Sequence, residues 1–279
     1  MTTIKVGIVG GTGYTGVELL RLLARHPRVE VTEITSRAES GKAVSALYPN
    51  LRGHFDLEFT APDLEALSRC DLVFFATPNG IAMKQVPELL KRGVRVIDLA
   101  ADFRIKDIEL WSKWYGMEHA CPEAVAEAVY GLPEVNREQI RSARLVANPG
   151  CYPTGVIALV RPLVVRGFVP PSYPLTVNAV SGYTGGGNAI IAEFEDASAA
   201  NHTSDNYRIY GLTQKHKHPP EMMRHGRLAN LPMFMPAVGR FAQGMIVEVP
   251  LTLRMLPNTP RKADLHAALT QAYEGERFV

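Results

Sequence analysis

The chain has 279 residues, 46% hydrophobic and 21% charged, a composition that builds a globular core and excludes disordered, collagen-like and coiled-coil chains. Thirty Lys and Arg against 28 Asp and Glu leave a net charge of +2; no large basic field gathers nucleic acid or an anionic membrane, so neither is an expected partner. The longest apolar stretches, such as Leu72 to Ala76 and Val156 to Val160, fall far short of the ~20 residues that cross a bilayer.

From its first residues the chain enters a strand-like run with no leader pattern, and its three cysteines, Cys70, Cys121 and Cys151, form no CxxC. Both features predict the reducing cytoplasm. Ile4 to Val9 reads as a first strand. Apolar positions Val17, Leu19, Leu20, Leu22 and Leu23 follow helical spacing from Tyr14 to Ala24, and His26-Pro27 stops that helix. Val29 to Thr35 gives a second strand. Asp71 to Ala76 is a continuous apolar run ended by Thr77-Pro78-Asn79-Gly80, as in a strand covered on both faces. A helix from Ala82 to Lys91 and a strand from Val94 to Leu99 follow. This alternation predicts an α/β fold, a Rossmann-type doubly wound parallel sheet over residues 1–148.

After Asn148 the texture changes. A helix is predicted from Cys151 to Val165, then a strand from Leu175 to Val180 broken by a glycine-rich loop from Ser181 to Gly187. A later strand is predicted from Met245 to Leu253. Residues 149–279 therefore read as a second, α+β catalytic domain with a mixed or antiparallel sheet.

Between the first strand and its helix lies Gly10-Gly11-Thr12-Gly13-Tyr14-Thr15-Gly16. Glycine there permits a tight turn, lets backbone approach a pyrophosphate, and allows close helix packing, while the helix N-terminus offers free amides. The second strand ends Ser36-Arg37 rather than on an acid; a hydroxyl and a guanidinium suit a 2'-phosphate, so NADP(H) is the expected cofactor.

Ala147-Asn148-Pro149-Gly150-Cys151-Tyr152-Pro153-Thr154 delivers a cysteine into the first turn of a helix, where dipole and free amides favour a thiolate nucleophile. Those amides, with Asn148, are candidates to hold a tetrahedral oxyanion. Lys215-His216-Lys217-His218-Pro219-Pro220-Glu221 places two imidazoles two residues apart, on one face if the segment is extended, followed by a carboxylate. No cysteine cluster accompanies them, so no metal is expected. Either His216 or His218 is the predicted acid/base, oriented by Glu221.

These segments, with Asp98 to Arg104 and Tyr130-Gly131-Leu132-Pro133-Glu134, occur in the order of the N-acetyl-gamma-glutamyl-phosphate reductases, which the chain resembles over nearly its whole length. The resemblance implies reduction by NADPH of N-acetyl-glutamyl 5-phosphate, a small acyl phosphate, in arginine biosynthesis by a homo-oligomer, dimer or tetramer. It places the nucleophile on Cys151. Pro78 and Gly182 join the expected cofactor contacts, and Arg104, Ser181 and Gly185 the expected substrate contacts. Members often carry a basic residue where this chain has Asn188 and Pro-His-Gly where it has Pro78-Asn79-Gly80. They are expected to continue beyond Val279 with a segment returning to the nucleotide domain. Aspartate-semialdehyde dehydrogenase, aminoadipyl-phosphate reductase and a non-catalytic NADP-binding sensor remain alternatives at this level.

Overall fold

A computed structural model describes residues 3–279, which form two compact units, one reaching to Pro149 and one spanning Gly150–Val279. In the first, β1 (Ile4–Val9), β2 (Val29–Thr35), β3 (Leu72–Phe75), β4 (Arg95–Asp98), β5 (Val129–Tyr130) and β6 (Leu145–Ala147) make one sheet in the order β2-β1-β3-β4-β6-β5. All five pairings are parallel. The order reverses between β1 and β3, which makes the turn after β1 the switch point of a doubly wound sheet.

The period of two along β3 explains why its sequence is apolar throughout. Val73 and Phe75 enter a core shared with Met83, Val86 and Trp111. Leu72 and Phe74 pack against a different core built on Val6, Ile8, Leu20 and Ile34, so both faces are covered. Three helices, Ile108–Tyr115, Pro122–Glu127 and Pro133–Ser142, and the short strands β5 and β6 extend the alternation beyond the predicted elements. Trp111 anchors the first of these helices through a 2.8 Å bond from its indole N–H to the Ala101 carbonyl.

The second unit carries β7 (Thr176–Gly182), β8 (Tyr207–Ile209), β9 (Met233–Gly239) and β10 (Met245–Glu248), ordered β10-β7-β9-β8. β7 and β9 are parallel while the edge strands run antiparallel, so the sheet is mixed. β7 runs two residues past the predicted break, and the glycines beyond it form a short 3-10 turn, Tyr183–Gly186. β10 stops at Glu248, well short of Leu253, because Pro250 lacks the N–H a ladder needs. Val249, Leu251 and Leu253 turn instead into the core beneath the Cys151–Val165 helix. That helix lies close on β10: a Cβ at Gly155 would meet Val247 Cγ2 at 2.9 Å. Among the described residues no helix is long and apolar enough to cross a membrane.

Candidate active site

Cys151 is the first residue of its helix, with Gly150 as N-cap and Pro153 two residues on, where a missing N–H costs nothing. Its thiol is exposed, whereas Cys70 and Cys121 are buried. Burial pushes the Cys121 thiol up to about 12 and also raises Cys70, which leaves both inert at neutral pH. Cys151 lines a cavity of about 400 Å3 together with Tyr152, Ser181, Gly182, Gly185, Arg208 and Tyr210 among others.

The glycines here have steric reasons. A Cβ on Gly182 would lie 2.5 Å from the Ala242 carbonyl oxygen, and one on Gly185 would lie 2.8 Å from Ser181 Oγ. Ser181 is buried, its hydroxyl donating to the Gly182 carbonyl at 3.0 Å.

Behind the cavity wall stands an aromatic group. Tyr152 packs on His218, His216 and Phe234 with centroids 5.8, 6.2 and 5.1 Å away, and the two imidazoles meet edge to face at 4.6 Å. The predicted extended segment is not what joins them: His218 has helical backbone angles as N-cap of the helix Pro219–Gly226. The His218 amide donates to His216 Nδ1 at 3.2 Å, so His216 carries its proton on Nε2. Burial, helped by the Lys217 charge, lowers the His216 pKa to about 4, and the ring is neutral at physiological pH. Tyr152 and Tyr210 share a 3.1 Å bond between their hydroxyls, and burial raises both phenols.

Glu221, 2% exposed, accepts a 2.6 Å bond from the Gly150 amide. Its carboxylate braces the entry to the cysteine helix, a position that spacing from the histidines did not indicate.

In the first unit, Asn148 donates from Nδ2 to the Pro149 carbonyl at 3.2 Å. Arg104 is buried, with Nε on the Asn148 carbonyl at 2.6 Å and Nη2 on the Leu99 carbonyl at 2.8 Å. Its guanidinium thus ties the 99–104 turn to the segment after β6.

The turn after β1 is built as an anion cradle. Gly10 has φ +88°, and a Cβ there would lie 2.5 Å from the Ala76 carbonyl oxygen; Gly11 and Gly16 would clash with Ile34 and the Gly10 carbonyl at 2.4 and 2.7 Å. Gly13 differs. As N-cap of the Tyr14–Leu23 helix it has φ −76°, open to any residue, and its Cβ would meet nothing closer than 3.8 Å. Neither conformation nor the chain's own packing demands glycine there, so the space suits a pyrophosphate lying against backbone. Thr12 and Ser36 touch through their hydroxyls at 3.2 Å, and Tyr48, which sequence reading missed, donates to the Thr12 carbonyl at 3.0 Å. Thr15 and Arg37 are exposed and Tyr14 half-buried at the turn. Across the switch point, the loop carrying Pro78 is held by Asp102, which accepts from the Gly80 amide at 2.8 and 3.1 Å and from the Met83 amide at 3.2 Å. The Thr77 hydroxyl is buried there with no hydrogen-bond partner among the described residues. These residues fit a dinucleotide.

The site residues missed from sequence are Arg208, Tyr210 and Tyr152. The alternation Tyr207-Arg208-Ile209-Tyr210 was the available signal, since positions two apart share a strand face.

Two family models cover the chain: semialdehyde dehydrogenase, NAD binding domain, over residues 5–143, and semialdehyde dehydrogenase, dimerisation domain, over residues 151–279. A protein of Nitrosospira multiformis named N-acetyl-gamma-glutamyl-phosphate reductase is 51% identical over 99% of this chain and 78% of its own length. One of the same name from Laribacter hongkongensis matches to the same extent. Among solved structures, aspartate semialdehyde dehydrogenase II complexed with ASA from Vibrio cholerae aligns with TM-score 0.66 at 17% identity over 98% of this chain and 80% of that one. The aspartate semialdehyde dehydrogenase with NADP from Candida albicans gives 0.63 at 14%, over 96% and 76%. At that identity the structures speak for the fold, while the sequence relatives decide the kinship: the chain belongs to the N-acetyl-gamma-glutamyl-phosphate reductase family, within the semialdehyde dehydrogenases.

Proposed function

We propose that this chain uses NADPH to reduce N-acetyl-L-glutamyl 5-phosphate to N-acetyl-L-glutamate 5-semialdehyde, releasing phosphate, in arginine biosynthesis. The observation that carries the reading is an exposed thiol at a helix N-terminus on the wall of a cavity that also presents Ser181 and a glycine segment. The relatives' shared name supplies the substrate, and three cysteines outside any disulfide fit a cytoplasmic protein.

An acyl phosphate is already activated, so the protein must capture the acyl group before water does. The helix dipole favours the Cys151 thiolate, which attacks the acyl carbon. The carbon–oxygen bond to phosphate breaks, phosphate leaves with its electron pair, and a thioester remains on Cys151. Ser181 and the Gly185 amide are the donors assigned to that phosphate. NADPH, when held by the glycine turn, would supply hydride at the thioester carbon. A side chain then gives a proton to the resulting oxygen and takes it back as the carbon–sulfur bond breaks, which releases the aldehyde and returns the thiolate. His218 is assigned this role, because His216 is held neutral with Nδ1 occupied by the His218 amide. Gly10 to Gly16, Ser36 and Arg37 are assigned to hold the cofactor, with Pro78 and Gly182 as further contacts.

A second copy of the chain is the expected partner. One cross-strand row, Ile246, Val180, Ala237 and Ile209, runs the width of the second sheet, and its end residues are 63% and 42% exposed. A pairing surface there agrees with the dimerisation description of this half.

The reverse reaction is the test. Phosphate-dependent reduction of NADP by N-acetylglutamate semialdehyde should proceed with the wild type and vanish in Cys151→Ser, which should still bind NADPH. Activity confined to aspartate semialdehyde overturns the substrate assignment, and full activity in Cys151→Ser overturns the nucleophile.

A further inference from the structure

The cavity beside Cys151 contains a cation. In β8, Tyr207 and Ile209 are 54% and 42% exposed, and strand alternation turns Arg208 to the other side. There Arg208 lines the cavity with its cross-strand neighbour Val238 and with Tyr210, two residues on. Its Nη1 donates to Glu193, a carboxylate on the helix Asn188–Glu195 that is 7% exposed. Its guanidinium also lies over the Phe194 ring, 5.8 Å from the centroid. Among the described residues the guanidinium donates to no other acceptor, so Nε and Nη2 remain available to a ligand.

This arrangement is an oriented fork. Glu193 fixes the plane of the guanidinium, and the unused N–H groups match the two oxygens of a carboxylate. The substrate has two anionic ends. The phosphate is bonded through oxygen to the carbon that Cys151 attacks, and the segment assigned to it above is Ser181 with the glycine amides beyond it. Glu193 would repel a dianion beside Arg208 about twice as strongly as a monoanion. The geometry points to Arg208 as the residue that binds the α-carboxylate of an N-acylated amino acid whose other end is presented to Cys151. This assignment rests on the functional reading above and names its substrate anchor.

A protection assay separates the two. Alkylation of Cys151 by iodoacetamide is followed in the full chain with N-acetylglutamate, with the same molecule bearing a carboxamide in place of its α-carboxylate, and with inorganic phosphate. In the wild type the carboxylate should protect at a concentration roughly 10- to 100-fold below the carboxamide. Arg208→Gln should remove that preference and leave protection by phosphate unchanged, while Arg208→Lys, which keeps charge but loses the fork, should fall between. The inference is overturned if Arg208→Gln keeps the preference, if the wild type shows none, or if phosphate protection is what disappears. Because the assay needs no turnover, it reads the anchor even if the reverse reaction fails.

Discussion

The Glu221 carboxylate and the Gly150 amide meet at 2.6 Å across 71 residues of chain, in a buried contact at the mouth of the Cys151 helix. A carboxylate accepting an amide at a helix entrance satisfies a donor that no side-chain cap serves. Glu221→Ala leaves that amide buried and unbonded, at a cost of about 1–3 kcal/mol. We expect a thermal midpoint several degrees lower, and slower alkylation of Cys151 as the helix start loosens. Glu221→Gln, which keeps an acceptor oxygen, should recover part of both. An unchanged midpoint in Glu221→Ala would show that the contact stabilises nothing.

Gly13 and Gly16 separate a ligand's demand from the fold's. A Cβ at Gly16 would press on the Gly10 carbonyl at 2.7 Å and Gly11 Cα at 2.8 Å, whereas one at Gly13 meets nothing within 3.8 Å. Gly16→Ala should therefore destabilise the first unit measurably. Gly13→Ala should lower the thermal midpoint by a few degrees at most, an N-cap Gly-to-Ala change costing about 1 kcal/mol. It should nonetheless weaken NADPH binding at least tenfold. Calorimetric titration with NADPH beside a thermal melt checks both, and equal behaviour of the two variants contradicts the cradle.

How much of this was legible in the sequence follows from where the information lies. β1, β2 and the helices Ala82–Lys91 and Cys151–Val165 read from sequence with their observed bounds, because each has a clear apolar run with a glycine or proline near at least one end. The glycine turn and Cys151 were legible because their chemistry is local. Arg208 and Tyr210 were not, since an arginine in a three-residue strand resembles any surface charge until the Asn188–Glu195 helix brings Glu193 to it. The Glu221 contact was hidden for the same reason. Proximity to the histidines in sequence suggests a ring partner, whereas the contact with Gly150 joins positions 71 residues apart.

Arg37 is exposed at the end of β2, next to Ser36, whose hydroxyl meets Thr12 in the glycine turn. If Arg37 is the partner of the cofactor's 2'-phosphate, it has no target on NADH. Arg37→Ala should weaken NADPH binding by roughly tenfold or more and change NADH binding little. Parallel fluorescence titrations with the two dinucleotides decide it, and equal losses would remove Arg37 from the 2'-phosphate site.

Asp98 and Asp102 are both buried near Arg104, but they are not equivalent. Asp102 takes the Gly80 and Met83 amides, whereas Asp98 Oδ1 takes the Ala100 amide and its Oδ2 has no hydrogen-bond partner among the described residues. Burial first, and the Asp102 charge second, lift the Asp98 pKa to about 7. A raised carboxyl pKa means the folded chain holds a proton that the unfolded chain gives up. The associated stability is complete below about pH 4 and is lost as pH rises through about 7, by up to about 4 kcal/mol. Asp98→Asn should abolish that slope, so urea midpoints compared at pH 5 and pH 8 should differ less in the variant than in the wild type.

His216 titrates with the opposite sign. Its pKa is lowered from 6.5 to about 4 by burial and the Lys217 charge, so the unfolded chain takes up the proton first. The stability it contributes is complete above about pH 6.5 and is lost as pH falls through about 4. In NMR titration its imidazole should hold a neutral, Nε2-protonated signature down to about pH 5, in keeping with the His218 amide on Nδ1. Any inflection between pH 6 and 7 in the rate of the reverse reaction then belongs to another group and should survive in His216→Gln. An imidazole midpoint near 6.5 for His216 would reopen the choice between the two histidines as proton donor.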